Sequence, residues 1–264
     1  MSRPKNFQDE PPTYEALSQD SAGSRPATGG PRGGSRLGSL RTFSHVKAGG
    51  SPTHSVDVAF LLDITGSMQP WIDVAYDKLD TIISAVTGKW PTVLVRTAFI
   101  GYRDYADEER LVLKDFQNDP KELSRFIRTV EAHGGGDEPE DVLGGMNALL
   151  GLSWRSKVRV VLHIADAPAH GVKFHSLTRS EDDYPDGDPS GLKAEDILLG
   201  IYEKSLIYHF LKLNDSTDKM VKVFNSISSE YQGYMEVKSL KSPVEDFVPT
   251  VVGSITSSMR LRGL

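Results

Sequence analysis

The stretch Val56–Met68, VDVAFLLDITGSM, limits the possible folds more than any other part of the chain. Val56, Val58, Ala59, Phe60, Leu61 and Leu62 make an apolar run of the length of one strand, with too little polar alternation to face water on either side. Such strands belong to parallel sheets covered by helices. The run stops at Asp63, and oxygen-bearing side chains then fall at alternate positions, Asp63, Thr65 and Ser67, around Gly66, which permits a tight turn. A carboxylate and two hydroxyls at the mouth of a buried strand are hard donors of the kind Mg2+ takes, a few protein ligands with waters completing the shell. The same three side chains would also serve as caps for the N–H groups of a helix starting near Trp71, and on this stretch alone the two readings stand level.

Alternation of strand and helix signals continues through the rest of the chain. Ile72, Ala75, Tyr76, Leu79, Ile82, Ile83 and Val86 recur at helical spacing and predict a helix ended by Gly88. A second strand, Val93–Ile100, runs into GYRDY (Gly101–Tyr105), and a third follows around Leu111–Phe116. That connection is too short for a parallel crossover, so the third strand returns antiparallel at an edge. Next come a helix over Pro120–Glu131, the loop HGGGDEPE (His133–Glu140) and a helix carrying Val142, Leu143, Met146, Leu149 and Leu150. The fourth strand, Val158–Ala165, again ends on an acid, Asp166. A long polar loop, a helix near Ala194–Glu203, a strand near Leu206–Leu211, a helix with Met220, Val221, Phe224 and Ile227, a short strand near Tyr234–Val237 and a helix after Pro243 complete the pattern. The expected architecture is α/β: a doubly wound, mostly parallel six-stranded sheet with one antiparallel edge strand and helices on both faces.

Topology then discriminates between cap and metal. If the first and fourth strands are neighbours, Asp63, Thr65, Ser67, the GGGDEPE loop and Asp166 share one edge, the edge at which open α/β sheets bind ligands. Three separate acidic or hydroxyl clusters meeting there favour the metal reading. Asp137 admits two roles, a ligand or an N-cap ahead of Pro139. Arg103 and Asp104 lie on the same edge, either orienting water or ligand there or forming a surface ion pair, which is the reading preferred. His163, His170 and His175 are separated by seven and five residues, which matches no common zinc spacing, and His163 reads as a hydrogen-bonded core residue. The run Glu181–Asp188 lacks EF-hand spacing and reads as a mobile acidic loop over the site.

Residues 1–54 are different in kind. They carry a net charge of +3 against −9 for the remainder, are rich in Pro, Gly, Ser and Arg, and hold too little apolar surface to offset chain entropy. A disordered tail is expected, with the folded domain over 55–260. Pro11, Pro12 and Tyr14, in PPTY, present a preset polyproline turn and an aromatic ring, the shape read by aromatic-lined WW grooves. PPTY resembles the PPxY motif through which substrates and adaptors recruit ubiquitin ligases of the Nedd4 type.

DITGSM, GYRDY, GGGDEPED and HIADAPAHG, in this order, are similar to von Willebrand factor A domains, and more narrowly to the variant found with atypical alpha-kinases. The resemblance covers roughly residues 55–260. It implies a metal-ion-dependent adhesion site (MIDAS) at Asp63, Thr65, Ser67 and Asp166, with hydroxyls binding directly and some carboxylates through water, and it implies that the first and fourth strands are adjacent. Thr65 stands for the usual serine and keeps the hydroxyl. The family's loop threonine is absent, and Asp137 occupies about its place, with Glu138 beside it. A third carboxylate there would bring the formal site charge to −1 around a divalent ion and weaken dependence on an acid from the partner. The remaining residues leave no room for a kinase domain, so kinase activity does not carry over.

The function expected is therefore a Mg2+- or Mn2+-dependent protein–protein interaction module with no enzyme activity, an adaptor with a protein partner at the metal edge and a WW-domain protein at the tail. A metal-dependent phosphohydrolase is the first alternative, since Asp63 ends a strand as a nucleophilic aspartate would, although Thr65 replaces the second acid. A scaffold with a vestigial site is the second. No GxxxxGK, GxGxxG or GxSxG motif is present. There is no cysteine, hence no thiolate chemistry, and no run approaches the roughly 18 apolar residues of a membrane span. A net charge of −6 gives no electrostatic reason for nucleic acid, and an N-terminus without an apolar signal core suggests a cytoplasmic, or nuclear, location.

Overall fold

The computed structural model describes residues 54–233 and 235–264; the tail with Pro11, Pro12 and Tyr14 lies outside them. The described chain forms a six-stranded sheet flanked by helices. In chain order the elements are β1 (His54–Asp63), α1 (Gln69–Lys89), β2 (Val93–Tyr102), β3 (Leu111–Gln117), α2 (Pro120–Ile127), α3 (Val142–Gly151), β4 (Val158–Ala165), α4 (Ala194–Glu203), β5 (Ile207–Lys212), α5 (Asp218–Ser229), β6 (Met235–Ser239) and α6 (Phe247–Leu261). Strand order is β3-β2-β1-β4-β5-β6, and every pair is parallel except β2–β3. The expected mixed sheet with one antiparallel edge is the observed one, and β1 and β4 are adjacent.

Period-two alternation explains why β1 had to be covered on both faces. Val56, Val58, Phe60 and Leu62 point into a core shared with α1, α2 and α6. Ala59 and Leu61 point the other way, into a core built with α3, α4 and α5. β4 divides in the same manner, with Val158, Val160, Leu162 and Ile164 on the first face and Val161 and Ala165 on the second. Burying a side chain of this kind contributes about 1.5–3 kcal/mol, so paired two-sided strands anchor the sheet centre and fix its register.

Helix ends depart from the sequence reading. Gly88 does not end α1, which continues to Lys89; the Trp90 N–H closes it on the Val86 carbonyl. α2 stops at Ile127 rather than Glu131, and Asp119 caps its start by accepting from the Lys121 N–H. Val244 lies ahead of α6 and is exposed, while Phe247, Val251 and Ile255 bury as that helix's inner face.

Candidate metal centre

β1 and β4 run parallel with Leu62 opposite Ile164, so Asp63 and Asp166 emerge side by side. The position between them is where strand order reverses, and there a crevice opens at the carboxyl ends of the strands. Asp63 is fully buried. Its Oδ1 accepts from the Thr65 N–H at 2.9 Å and from the Thr65 hydroxyl at 2.6 Å. Ser67 Oγ donates to Asp166 Oδ2 at 2.6 Å across ninety-nine residues of sequence. None of these groups caps α1, whose N-cap is Met68 and makes no side-chain cap bond. Asp63 Oδ2 is buried and has no hydrogen-bond partner.

Above these residues lies a cleft of about 300 Å³ lined by Thr65, Ser67, Gly134, Gly135, Asp137, Glu138, Glu140, Asp166 and Asn214. The GGG loop forms its wall. Gly134 and Gly135 take φ of 85° and 87°, values that favour glycine, and the Gly134 carbonyl accepts from the Gly66 N–H at 3.4 Å.

Glu140, which the sequence reading passed over, is brought into this site. It is 3 % exposed, its N–H donates to the Pro168 carbonyl at 2.9 Å, and its Oε2 is buried without a partner. Burial and then the charge of Asp63 raise its carboxyl well above the ordinary range. Burial likewise pushes Asp63 up to about 7, against the opposing effect of the bonds from Thr65. Two buried carboxyls that resist ionisation, each with a bare oxygen, together with two oriented hydroxyls and Asp166, fit a small hard divalent cation.

Asp137 sits at the outer edge of the cleft. Its Oδ2 accepts from the Asp183 N–H at 2.8 Å and lies 3.9 Å from His170 Nδ1. Asp137 is not the cap of α3; Asp141 is, accepting from the Gly144 N–H. Glu138 lines the same rim.

Arg103 and Asp104 are not a surface ion pair, since each is only 1 % exposed. Arg103 donates to the carbonyls of Glu109 at 2.7 Å and Glu131 at 2.8 Å, pinning the loop before the glycines. Asp104 Oδ1 instead meets His170 Nε2 at 2.6 Å. The acidic run 181–188 is anchored as well: Asp182 is buried and takes His170 Nδ1 at 2.8 Å, His175 Nε2 at 2.7 Å and the Gly171 N–H at 2.8 Å. His163 is a core residue, held by the hydroxyls of Tyr102 at 2.8 Å and Tyr208 at 2.9 Å, and burial lowers its pKa to about 3.

A family model described as "von Willebrand factor A domain" matches residues 57–179. The chain is 35% identical over 192 residues to Alpha-protein kinase vwkA of Dictyostelium discoideum, covering 72% of this chain and 30% of that one. It is 32% identical over 115 residues to Putative ariadne-like RING finger protein R811 of Acanthamoeba polyphaga mimivirus, covering 44% and 11% respectively. The chain thus spans less than a third of the length of these curated relatives. Among solved structures, the vWF domain of the type V pili tip protein Mfa5 from Porphyromonas gingivalis aligns with a TM-score of 0.50 at 12% identity, over 79% of this chain and 96% of that one, a likeness of fold.

Proposed function

This chain belongs to the von Willebrand factor A domain family, and on that premise we propose that it is a cytosolic protein-interaction module, not an enzyme, whose grip on its partner depends on Mg2+ or Mn2+. The observation that carries this reading is the bare, fully buried Oδ2 of Asp63 beneath two hydroxyls already turned by carboxylates. Asp63, Thr65, Ser67 and Asp166 would hold the ion. When bound, it supplies a Lewis-acidic position open to an oxygen ligand from a partner protein.

The chain's own residues set how that ligand is met. Asp63 fixes the Thr65 hydroxyl and Asp166 fixes that of Ser67, so neither has to be ordered at the moment of binding. Glu140 takes the part of third carboxylate that the sequence reading gave to Asp137. With Asp63 and Asp166 it brings the formal charge to −1 around a divalent ion, holding the metal firmly and weakening the pull on a partner's acid. No histidine lines the cleft among the described residues, which leaves its hydroxyls without a neutral base. In the tail, Pro11, Pro12 and Tyr14 would recruit a WW-domain protein such as a Nedd4-type ubiquitin ligase, making the whole an adaptor.

The test is capture of partners from lysate by the full chain in Mg2+, in EDTA, and with Asp63→Ala. Partners held in Mg2+ and lost in both other arms are expected. Partners held equally in all three would refute metal-dependent recognition.

A further inference from the structure

Beside the cleft at Asp63, and sharing Asp137 with its rim, there is a second group of metal-ligating side chains, contributed by three separate segments. Asp104 follows β2, Asp137 lies in the loop before α3, and His170 follows β4. One donor atom from each lies within 4.8 Å of the other two. Two of the carboxylate oxygens are bare. Asp104 is 1 % exposed; its Oδ1 accepts from the Tyr105 N–H at 2.6 Å and meets His170 Nε2, while its Oδ2 is buried with no partner. Asp137 Oδ2 accepts from the Asp183 N–H, while its Oδ1 is buried with no partner. Leaving a buried carboxylate oxygen without a donor is costly, and here it happens twice around one imidazole.

His170 has a carboxylate on each ring nitrogen, and against the effect of burial their bonds raise its pKa, so a metal at Nε2 would displace a proton from it. Asp182 Oδ1 holds Nδ1 at 2.8 Å, and Asp182 is itself buried and held by His175, the Gly171 N–H and the Tyr184 N–H. A carboxylate on one ring nitrogen fixes the tautomer and makes the other nitrogen a better electron-pair donor. That other nitrogen is Nε2, the one turned toward Asp104.

We propose that Asp104, Asp137 and His170 form a second metal site, selective for a first-row divalent transition ion, with Zn2+ as the fitting probe and Asp182 as the residue that orients the histidine. An imidazole nitrogen among the donors favours Zn2+ over Mg2+, which prefers oxygens and retains its waters. Two carboxylates and a neutral imidazole balance the charge of the ion. A tetrahedral Zn2+ with bonds of about 2.0–2.1 Å sets its ligands about 3.3 Å apart, closer than the 4.8 Å within which the three donor atoms lie, so Asp137, whose Oδ2 is 3.9 Å from Nδ1, would have to draw in toward Nε2. The ion would staple the GYRDY turn, the glycine loop and the long segment after β4 to one another, and thereby set the rim against which a partner docks. Asp137 borders both sites, and Ser67→Ala, which touches only the first, separates this site from the Mg2+ reading.

Zinc binding to the full chain is measured by equilibrium dialysis in excess Mg2+, with Co2+ absorption as a second readout of the nitrogen ligand. One Zn2+ per chain is expected for the wild type and for Ser67→Ala, whose change lies in the other cleft. Asp137→Asn keeps an oxygen for the Asp183 N–H, and should weaken binding at least as much as loss of a supporting residue does, about 10–100-fold. His170→Gln should abolish the site, with circular dichroism in EDTA reporting whether it folds; Asp137→Asn decides the matter if it does not. Absence of Zn2+ from the wild type, full retention in Asp137→Asn, or loss in Ser67→Ala would each overturn the assignment.

Discussion

Replacing Asp63 with Asn separates what the buried carboxyl costs the fold from what it gives a metal. Burial raises this carboxyl from 3.8 to about 7 in the metal-free domain. Holding it ionised at about pH 8 therefore costs the folded state on the order of 4 kcal/mol. An Asn retains one oxygen for the Thr65 N–H and hydroxyl, now at 2.9 and 2.6 Å. Its amide nitrogen takes the place of Oδ2, which has no partner, at a penalty of about 1–3 kcal/mol. In EDTA near pH 8 the variant should then be more stable than the wild type by about 1–3 kcal/mol. The sign with pH follows from a folded-state pKa lying above the unfolded one. The wild type keeps the full contribution of Asp63 below about 3.8 and loses it as pH rises through about 7, so the advantage of the variant closes toward about pH 5. Mg2+ at about a thousandfold excess over Kd reverses the order, because the wild type gains about 4.1 kcal/mol and the variant has lost a ligand. Urea unfolding followed by the fluorescence of Trp71, Trp90 and Trp154 measures all three conditions. A variant less stable than the wild type in EDTA near pH 8, or a difference that ignores pH, would refute the reasoning.

Three further predictions follow from other parts of the chain. Asp57 is buried at the opposite end of β1 and accepts from the Arg155 and Ser156 N–H groups and the Ser156 hydroxyl, with Arg96 Nε at 3.5 Å; Asp57→Ala should cost about 3–5 kcal/mol in urea unfolding. Glu140→Gln should leave the metal-free fold intact, weaken Mg2+ binding in calorimetry, and make capture of the partner more dependent on an acidic residue in it. Tyr14→Ala should abolish binding of an isolated WW domain, read by fluorescence polarisation, while leaving Mg2+-dependent capture by the folded domain unchanged.

The fold was legible because its signals are local. The apolar runs of β1 and β4 are unmistakably two-sided strands, each ends on an acid, and the short GYRDY connection forces β3 to turn back. Those facts put Asp63 and Asp166 on the same edge of the sheet; that β1 and β4 are neighbours is what the family resemblance implies, and the strand order shows it. What escaped reading depends on contacts made far along the chain. Glu140 reaches the cleft because its N–H bonds the Pro168 carbonyl, a pairing that leaves no periodic trace near either residue. Arg103 and Asp104 look like ordinary surface charges in a turn, yet two backbone carbonyls and a histidine take them into the interior. The histidine spacing gave no zinc signal because such rules look for ligands within one segment, whereas Asp104, Asp137 and His170 come from three. The acidic run after residue 180 reads as solvated charge, and only Asp182, tied to two imidazoles, shows why it is held down.

Isothermal calorimetry of Mg2+ binding to the wild type and to Ser67→Ala tests the central claim most directly. Ser67 is exposed and touches Asp166 through its hydroxyl, so its removal should change stability by no more than about 0.5 kcal/mol. One Mg2+ bound by the wild type, with binding lost in Ser67→Ala, is the result expected of an ion held at the ends of β1 and β4. Equal binding by both proteins, or none by the wild type, would contradict it.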